Sequence, residues 1–202
     1  MKVFKVVKMK LFFKKVNKLD KGFTLVETLV AISIFTLSIL ALLVVLTQGI
    51  SNTTYAKSKI VASYLAQEGI EYIRNMRDTF VLYGATSQAG WDAFNNKLAS
   101  CSSTGNGCFF NADNLNYSDS TQPMSDIILT ACSSSLCSNG ALFYDSTTGE
   151  YGFSGVASGY TRKITMSQVS ADETKILSTV YWTQGSGSYS IVFSESLFNW
   201  ME

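Results

Sequence analysis

The sequence predicts an α+β protein in which a long N-terminal α-helix, with a membrane half and an amphipathic half, packs on a C-terminal antiparallel β-sheet. Two changes in the pattern of apolar residues carry this prediction. Residues 23–46 are almost continuously apolar, and apolar residues then recur at helical spacing as far as Phe80. After Ala141 the apolar period changes to two, which is typical of strands.

Charge is unevenly distributed along the 202 residues. Eight of the 16 basic residues are lysines that precede Gly22, and the only acidic residue among them is Asp20. The eight basic and 14 acidic residues that follow carry a net charge of −6. A cationic head on an acidic body is typical of a targeting or interaction segment. Because the lysines alternate with apolar residues and precede a membrane-length run, nucleic acid is not predicted as a partner.

The apolar run 23–46 contains no proline or glycine and one charge, Glu27. As a helix it would be about 36 Å long, enough to cross a hydrocarbon core of about 30 Å. The lysines on its N-terminal side predict a cytoplasmic N-terminus and an extracytoplasmic C-terminal domain. A secretory signal peptide is disfavoured, because its apolar core spans only about 7–15 residues and ends at a small-residue cleavage site.

Glu27 separates this run from a plain membrane anchor. A carboxylate in a membrane helix costs roughly 2.5–3.5 kcal/mol at the bilayer centre, so it usually has a partner. If the chain were cut between Gly22 and Phe23, the new α-ammonium group would begin an apolar helix. Glu27 of a neighbouring copy could neutralise that cation, and the pairing would select the register in which helices stack.

The segment KGFTLVE, residues 21–27, followed directly by the apolar helix, resembles the N-terminal motif of type IV pilins and of the pseudopilins of type II secretion. The resemblance implies that residues 1–22 are a basic leader and that a prepilin peptidase cuts between Gly22 and Phe23. It also implies that this enzyme N-methylates Phe23 and that Glu27 pairs with a neighbouring N-terminus during assembly.

The same resemblance implies the partners of the chain. They are the prepilin peptidase, other pilin or pseudopilin subunits, an inner-membrane assembly platform, and membrane lipid before assembly. Two features depart from the family pattern. The leader is longer than the shortest ones in the family, and Val44 stands where many such helices carry a proline.

The transmembrane and assembly helix is predicted at residues 23–50, and its amphipathic continuation at 51–80. Seven residues form the predicted apolar face of the continuation: Val61, Tyr64, Leu65, Tyr72, Ile73, Met76 and Phe80. Charged residues lie mainly between them: Glu68, Glu71, Arg74 and Arg77. We expect these charges to form a solvated face, since surface ion pairs contribute little.

Residues 81–202 are predicted to form a globular head, with a loop region at 81–140 and an antiparallel sheet at 141–202. Within the loop region, WDAFNNKLA could be a short helix with Trp91, Phe94 and Leu98 on one side. In the sheet, ALFYD and EYGFS flank a hairpin turn, and three further strands follow as YTRKITMSQV, TKILSTVYWT and YSIVFSESLFNW. Their order resembles the C-terminal ends of minor pilins and minor pseudopilins.

Four cysteines fall on the side predicted to be outside, where disulfides persist: Cys101, Cys108, Cys132 and Cys137. Three connectivities are possible, and the flexible loops between neighbours favour the local pairs Cys101–Cys108 and Cys132–Cys137. A zinc site is the alternative, which the wide spacing and the lack of histidine disfavour.

No catalytic, cofactor-binding or metal site is predicted. The chain has no histidine for general base catalysis and no glycine-rich phosphate loop. Asp145 and Glu150 flank a turn and could bind calcium, but surface solvation is the favoured interpretation. The predicted function is a structural subunit, favoured as a minor one, held in the membrane and then packed into an extracytoplasmic filament. The alternative is an uncleaved single-pass protein whose extracytoplasmic domain binds a partner.

Overall fold

The computed structural model describes residues 22–102, 104–111 and 128–199. The predicted basic leader therefore lies outside the described residues, apart from Gly22. Two compact units divide the chain, Met1–Gly49 and Ile50–Glu202.

Helix α1 (Leu25–Tyr83) is 59 residues long and contains no proline. It ends before Gly84, whose N–H still donates to the Phe80 carbonyl oxygen at 2.9 Å. The sequence prediction of one long helix is confirmed, although α1 continues slightly beyond Phe80. The lack of proline accounts for its continuity, because no residue in the run removes a backbone donor.

One face of α1 packs against the sheet in the second unit. Five residues predicted on this face are buried: Leu65, Tyr72, Ile73, Met76 and Phe80. The prediction was wrong for Tyr64, which is 70% exposed, whereas the small residues Ala62 and Ala66 are fully buried. Small side chains let the helix approach the sheet closely, and a Cβ added to Gly69 would collide with the Ser178 hydroxyl.

Helix α2 (Ser87–Lys97) follows a short turn. The Thr86 hydroxyl oxygen caps it by accepting a hydrogen bond from the Ala89 N–H at 3.1 Å. A 3₁₀ turn, Leu98–Cys101, continues the chain. The three apolar residues predicted to share one side of this helix are buried: Trp91, Phe94 and Leu98.

The described residues contain one antiparallel sheet. Its strands are β1 (Cys108–Phe110), β2 (Leu129–Ala131), β3 (Ala141–Tyr144), β4 (Tyr151–Gly152), β5 (Val156–Gln168), β6 (Glu173–Gln184) and β7 (Gly187–Phe198). The predicted β3–β4 hairpin and the β5–β6–β7 meander are confirmed. Strands β1 and β2 were not predicted, because each has only three residues within a polar region.

Strand β5 is the centre of the sheet. At Ile164 it pairs with β1 through Cys108 and with β6 through Ser178, so these two neighbours lie on opposite edges. Strand β3 pairs with β5 nearer its start, on the β1 side, and β4 continues beyond β3. Strand β7 pairs with β6 along its whole length and lies at the edge.

An ion pair links α1 to β5. Arg162 is only 2% exposed, and its Nη1 lies 2.8 Å from the Glu68 carboxylate on α1. Its guanidinium carbon also lies 4.1 Å from the centre of the Phe110 ring. Burial lowers the pKa of Arg162, and the Glu68 carboxylate offsets part of that effect. The solvated face predicted for the α1 charges is confirmed only in part: the Glu68 side chain is 42% exposed but pairs with the buried Arg162, and the Arg77 side chain is only 11% exposed.

Candidate processing and assembly site

Thr24 begins helix α1 as its N-cap residue. Its carbonyl oxygen accepts the first helical hydrogen bond, from the Thr28 N–H at 3.2 Å. Its hydroxyl oxygen accepts a hydrogen bond from the Glu27 N–H at 3.3 Å. Threonine is a favoured residue here because its side chain satisfies a donor that has no partner in the first turn.

Glu27 is the third residue of α1 and lies in its first turn. A carboxylate at this end faces the positive pole of the helix dipole, which stabilises it. The spacing Thr24-x-x-Glu27 is that of a capping box, a sequence signal that the prediction missed. Glu27 therefore has a local role in starting the helix, and its side chain is also exposed.

The Gly22–Phe23 peptide bond precedes the helix. Both residues are exposed and non-helical, and the Phe23 side chain is 81% exposed. A Cβ added to Gly22 would meet no atom within 4 Å. The fold of the described residues therefore leaves this bond accessible and does not itself require glycine at position 22.

Helix α1 presents a fully exposed apolar surface before Ile50. All residues from 22 to 50 are exposed, and Glu27 is the one charged residue in this described range. Among the described residues, α1 is the one helix long and apolar enough to cross a membrane. The exposed apolar surface has the properties of a lipid-facing or helix-facing segment.

Polar side chains within this apolar segment are satisfied by the helix itself. The hydroxyl groups of Ser33, Ser38 and Thr47 donate to the carbonyl oxygens four residues earlier at 2.8–2.9 Å. Thr28 and Thr36 donate to the carbonyl oxygens three residues earlier. These hydroxyls therefore add little cost in a membrane, because none of them needs a partner outside the helix.

The four cysteines lie in the second unit, whereas Gly22, Phe23 and Glu27 lie in the first. They form the local disulfides Cys101–Cys108 and Cys132–Cys137, with Cα atoms 4.5 and 4.6 Å apart. Both bonds adjoin the β1–β2 ladder, where the Cys132 N–H donates to the Gly107 carbonyl oxygen at 2.9 Å. Cysteines engaged in disulfides are not available as zinc ligands.

The turn that sequence analysis considered for calcium is organised by the backbone. One Asp145 carboxylate oxygen accepts from the Thr147 N–H at 2.7 Å, and this bond lowers the pKa of Asp145. Among the described residues, no cluster of three or more acidic, cysteine or histidine residues could hold a metal ion. The Asp145 carboxylate thus has a local role as an Asx-type turn former.

Comparison with known proteins identifies the N-terminal segment. Residues 17–45 match the model of the prokaryotic N-terminal methylation motif. No curated protein and no solved structure matches the chain. The match covers the predicted cleavage site and most of the apolar part of α1.

Proposed function

We propose that this chain, which carries the type IV pilin and pseudopilin signature at residues 17–45, is a structural subunit of a type IV pilus-like or type II secretion filament. The motif implies processing by a prepilin peptidase and assembly with other pilin subunits. The motif and the exposed apolar helix fit a membrane-anchored subunit, and the signature is that of a structural protein. We assign it to the minor subunits, on the order of its C-terminal strands.

The single observation that carries the proposal is the matched motif, with Glu27 as the one charge on the exposed apolar start of α1. Before assembly, residues 1–22 stay in the cytoplasm, the apolar segment 23–50 crosses the membrane and the head lies outside. The peptidase then cuts between Gly22 and Phe23 and N-methylates Phe23. The accessible coil ahead of the capped helix supports this step.

Cleavage creates a positive charge at Phe23 that Glu27 of a neighbouring subunit neutralises. The new ammonium group of Phe23 lies at the positive end of the helix dipole, where a cation is unfavourable. In an apolar environment an unpaired charge is far more costly than a paired one. Each subunit offers a cation at Phe23 and an anion at Glu27, so pairing between neighbours satisfies both. Apolar contacts hold helices together in many registers, and the charge pair selects one.

Cleavage is tested by mass spectrometry of the N-terminus of the purified protein. We expect a mature chain beginning at N-methylated Phe23. Gly22→Val should remain full length, because the bulky side chain obstructs the peptidase while the chain itself has room for it. Gly49→Val is the matched control, since a Cβ there also meets no atom within 4 Å. A native protein that keeps its leader supports the uncleaved single-pass alternative.

The role of Glu27 is tested by separating its charge from its capping function. Glu27→Gln keeps a residue that suits the capping box but removes the carboxylate. We expect this variant to be cleaved and inserted, and to enter filaments at least about tenfold less than the parent. Thr24→Val is the control, because it removes the cap hydroxyl and keeps the charge. Equal incorporation of Glu27→Gln and the parent would show that charge does not set the register.

A further inference from the structure

We propose that the outer edge of β7 receives an extended strand from a second protein. Within the described residues, β7 pairs with β6 alone, along twelve residues from Gly187 to Phe198. About half of the backbone N–H and C=O groups of an edge strand point away from its neighbour. An added strand would pair with these groups, whereas a helix or a small molecule would leave most of them unpaired.

The composition of β7 lacks the features that usually protect an edge. It contains no proline, lysine or arginine, and its one charged residue is Glu195. That charge is neutralised within the unit, because Arg74 lies 2.7 Å from the Glu195 carboxylate. By contrast, the outermost strands on the other side, β2 and β4, have three and two residues, which is itself protective.

The two faces of β7 define the chemistry of the incoming strand. On the outer face, Ser188, Ser190, Val192 and Ser194 are exposed. On the helix-facing side, Ile191 and Phe193 are only partly covered, and Tyr189 is 39% exposed. A strand with apolar residues at alternate positions would cover this side and place polar residues outside.

A second copy of this chain fits the edge poorly. Helix α1 runs in the same direction as β7, since Tyr55 contacts Tyr189 and Arg74 contacts Glu195. Antiparallel pairing of two β7 strands would reverse one helix, and parallel pairing would place the helices on opposite faces of the joined sheet. Neither arrangement leaves the α1 segments of the two heads parallel on one face of the sheet, as packing of these helices in one direction requires. This exclusion of a second copy rests on the proposed function, whereas the open edge does not.

The sequence of β7 supplies a probe for the edge. Residues 188–196, SYSIVFSES, place serines symmetrically about Val192. A free peptide of this sequence can therefore lie antiparallel to β7 with serine opposite serine and Ile191 opposite Phe193. The experiment titrates the fluorescently labelled peptide, with two lysines added for solubility, against the full-length chain in detergent micelles.

The decisive comparison uses two N-methylated peptides. One is methylated at its even-numbered residues and the other at its odd-numbered residues, so that only one set faces the protein ladder. We expect one peptide to bind at least about tenfold more weakly than the unmodified peptide, and the other to stay within about twofold. Equal binding of both, or no binding of the unmodified peptide, would overturn the proposal.

A pair of variants tests the location of binding. Val192→Lys places a charge on the edge, and Val169→Lys places the same charge in the turn between β5 and β6. Both valines are about half exposed, at 49% and 57%, so both variants should fold. The first should weaken peptide binding about tenfold and the second should leave it unchanged. Normal binding by a folded Val192→Lys variant would place the peptide elsewhere.

Light scattering of the full-length chain distinguishes a second copy of this chain from a different protein as the source of the added strand. We expect a chain that does not dimerise through the head. A dimer that the peptide dissociates would make a second copy the occupant and would contradict our assignment. Cleavage after Gly22 is measured independently, so failure of the edge proposal leaves the proposed function intact.

Discussion

Replacing Glu68 with leucine would leave a buried cation without its carboxylate. The Arg162 guanidinium is almost fully buried, and its Nη1 lies 2.8 Å from Glu68. The guanidinium also contacts the Leu65 carbonyl oxygen, at 3.5 Å, and the Phe110 ring. Leucine has the helix propensity of glutamate, so the substitution tests the ion pair and leaves the intrinsic stability of α1 nearly unchanged.

The magnitude follows from the burial of the two partners. Removing one member of a fully buried ion pair costs about 3–5 kcal/mol. The Glu68 side chain is 42% exposed, so water can reach the guanidinium once the carboxylate is gone. We therefore expect Glu68→Leu to lower the free energy of unfolding of the head by about 2–3 kcal/mol.

The measurement is urea or thermal unfolding of the full-length chain in detergent, followed by circular dichroism with the disulfides intact. At about 2–4 °C per kcal/mol, the midpoint should fall by roughly 5–10 °C. Glu71→Leu is the matched control, since Glu71 accepts from Arg74 at the same 2.8 Å but both side chains are about half exposed. It should cost less than about 1 kcal/mol.

A second variant separates charge from packing. Adding Arg162→Met to Glu68→Leu removes the unpaired cation and should recover most of the lost stability, because an apolar side chain of similar size suits a buried site. The reasoning is refuted if Glu68→Leu costs no more than Glu71→Leu. It is also refuted if the double variant is less stable than Glu68→Leu alone.

Three further predictions follow from contacts in the head. Gly69→Ala should destabilise the head despite the better helix propensity of alanine, because the new Cβ collides with Ser178. A higher midpoint of thermal unfolding would contradict this. Replacing both Cys101 and Cys108 with alanine should lower the free energy of unfolding by about 2 kcal/mol in a denaturant titration, and an unchanged midpoint would contradict this. NMR titration should show a pKa of Asp145 below its ordinary value. The contribution of Asp145 to folding stability is then complete above the pKa of the unfolded state and is lost as the pH falls through the pKa of the folded state. Asp145→Asn should remove this dependence of stability on acid pH.

Local pattern predicted the elements whose period persists over many residues. Helix α1 and strands β5, β6 and β7 each repeat an apolar spacing long enough to be distinguished from chance. Strands β1 and β2 have three residues each, and their pairing depends on contacts with distant segments. No local period could have revealed them.

Hydrophobicity alone predicted most of the buried face of α1 but not the small residues on it. Tyr64 was predicted inside because it is large and apolar, yet Ala62 and Ala66 lie against the sheet. Close approach between a helix and a sheet selects small residues, and that selection depends on the distance between the two elements. This distance is a property of the fold and cannot be predicted from the spacing of apolar residues along α1.

The sequence predicts the functional motif of the N-terminal segment better than it predicts the ion pairs of the head. The motif around Gly22 and Glu27 is contiguous, so its residues can be recognised together. Glu68 pairs with Arg162, 94 positions later in the chain, and no local sequence pattern around Glu68 predicts this pair. The capping box follows from the Thr24-x-x-Glu27 spacing alone, although it was not predicted from the sequence.

The Thr24 cap has a consequence for maturation. Both groups that start the helix, the Thr24 hydroxyl and the Glu27 N–H, lie downstream of the proposed scissile bond. Losing the leader would therefore leave the opening turn of α1 as it was. The peptidase would change the charge at the N-terminus of the subunit without changing the first turn of α1. The mature chain would therefore need no refolding at this end before it joins its neighbours.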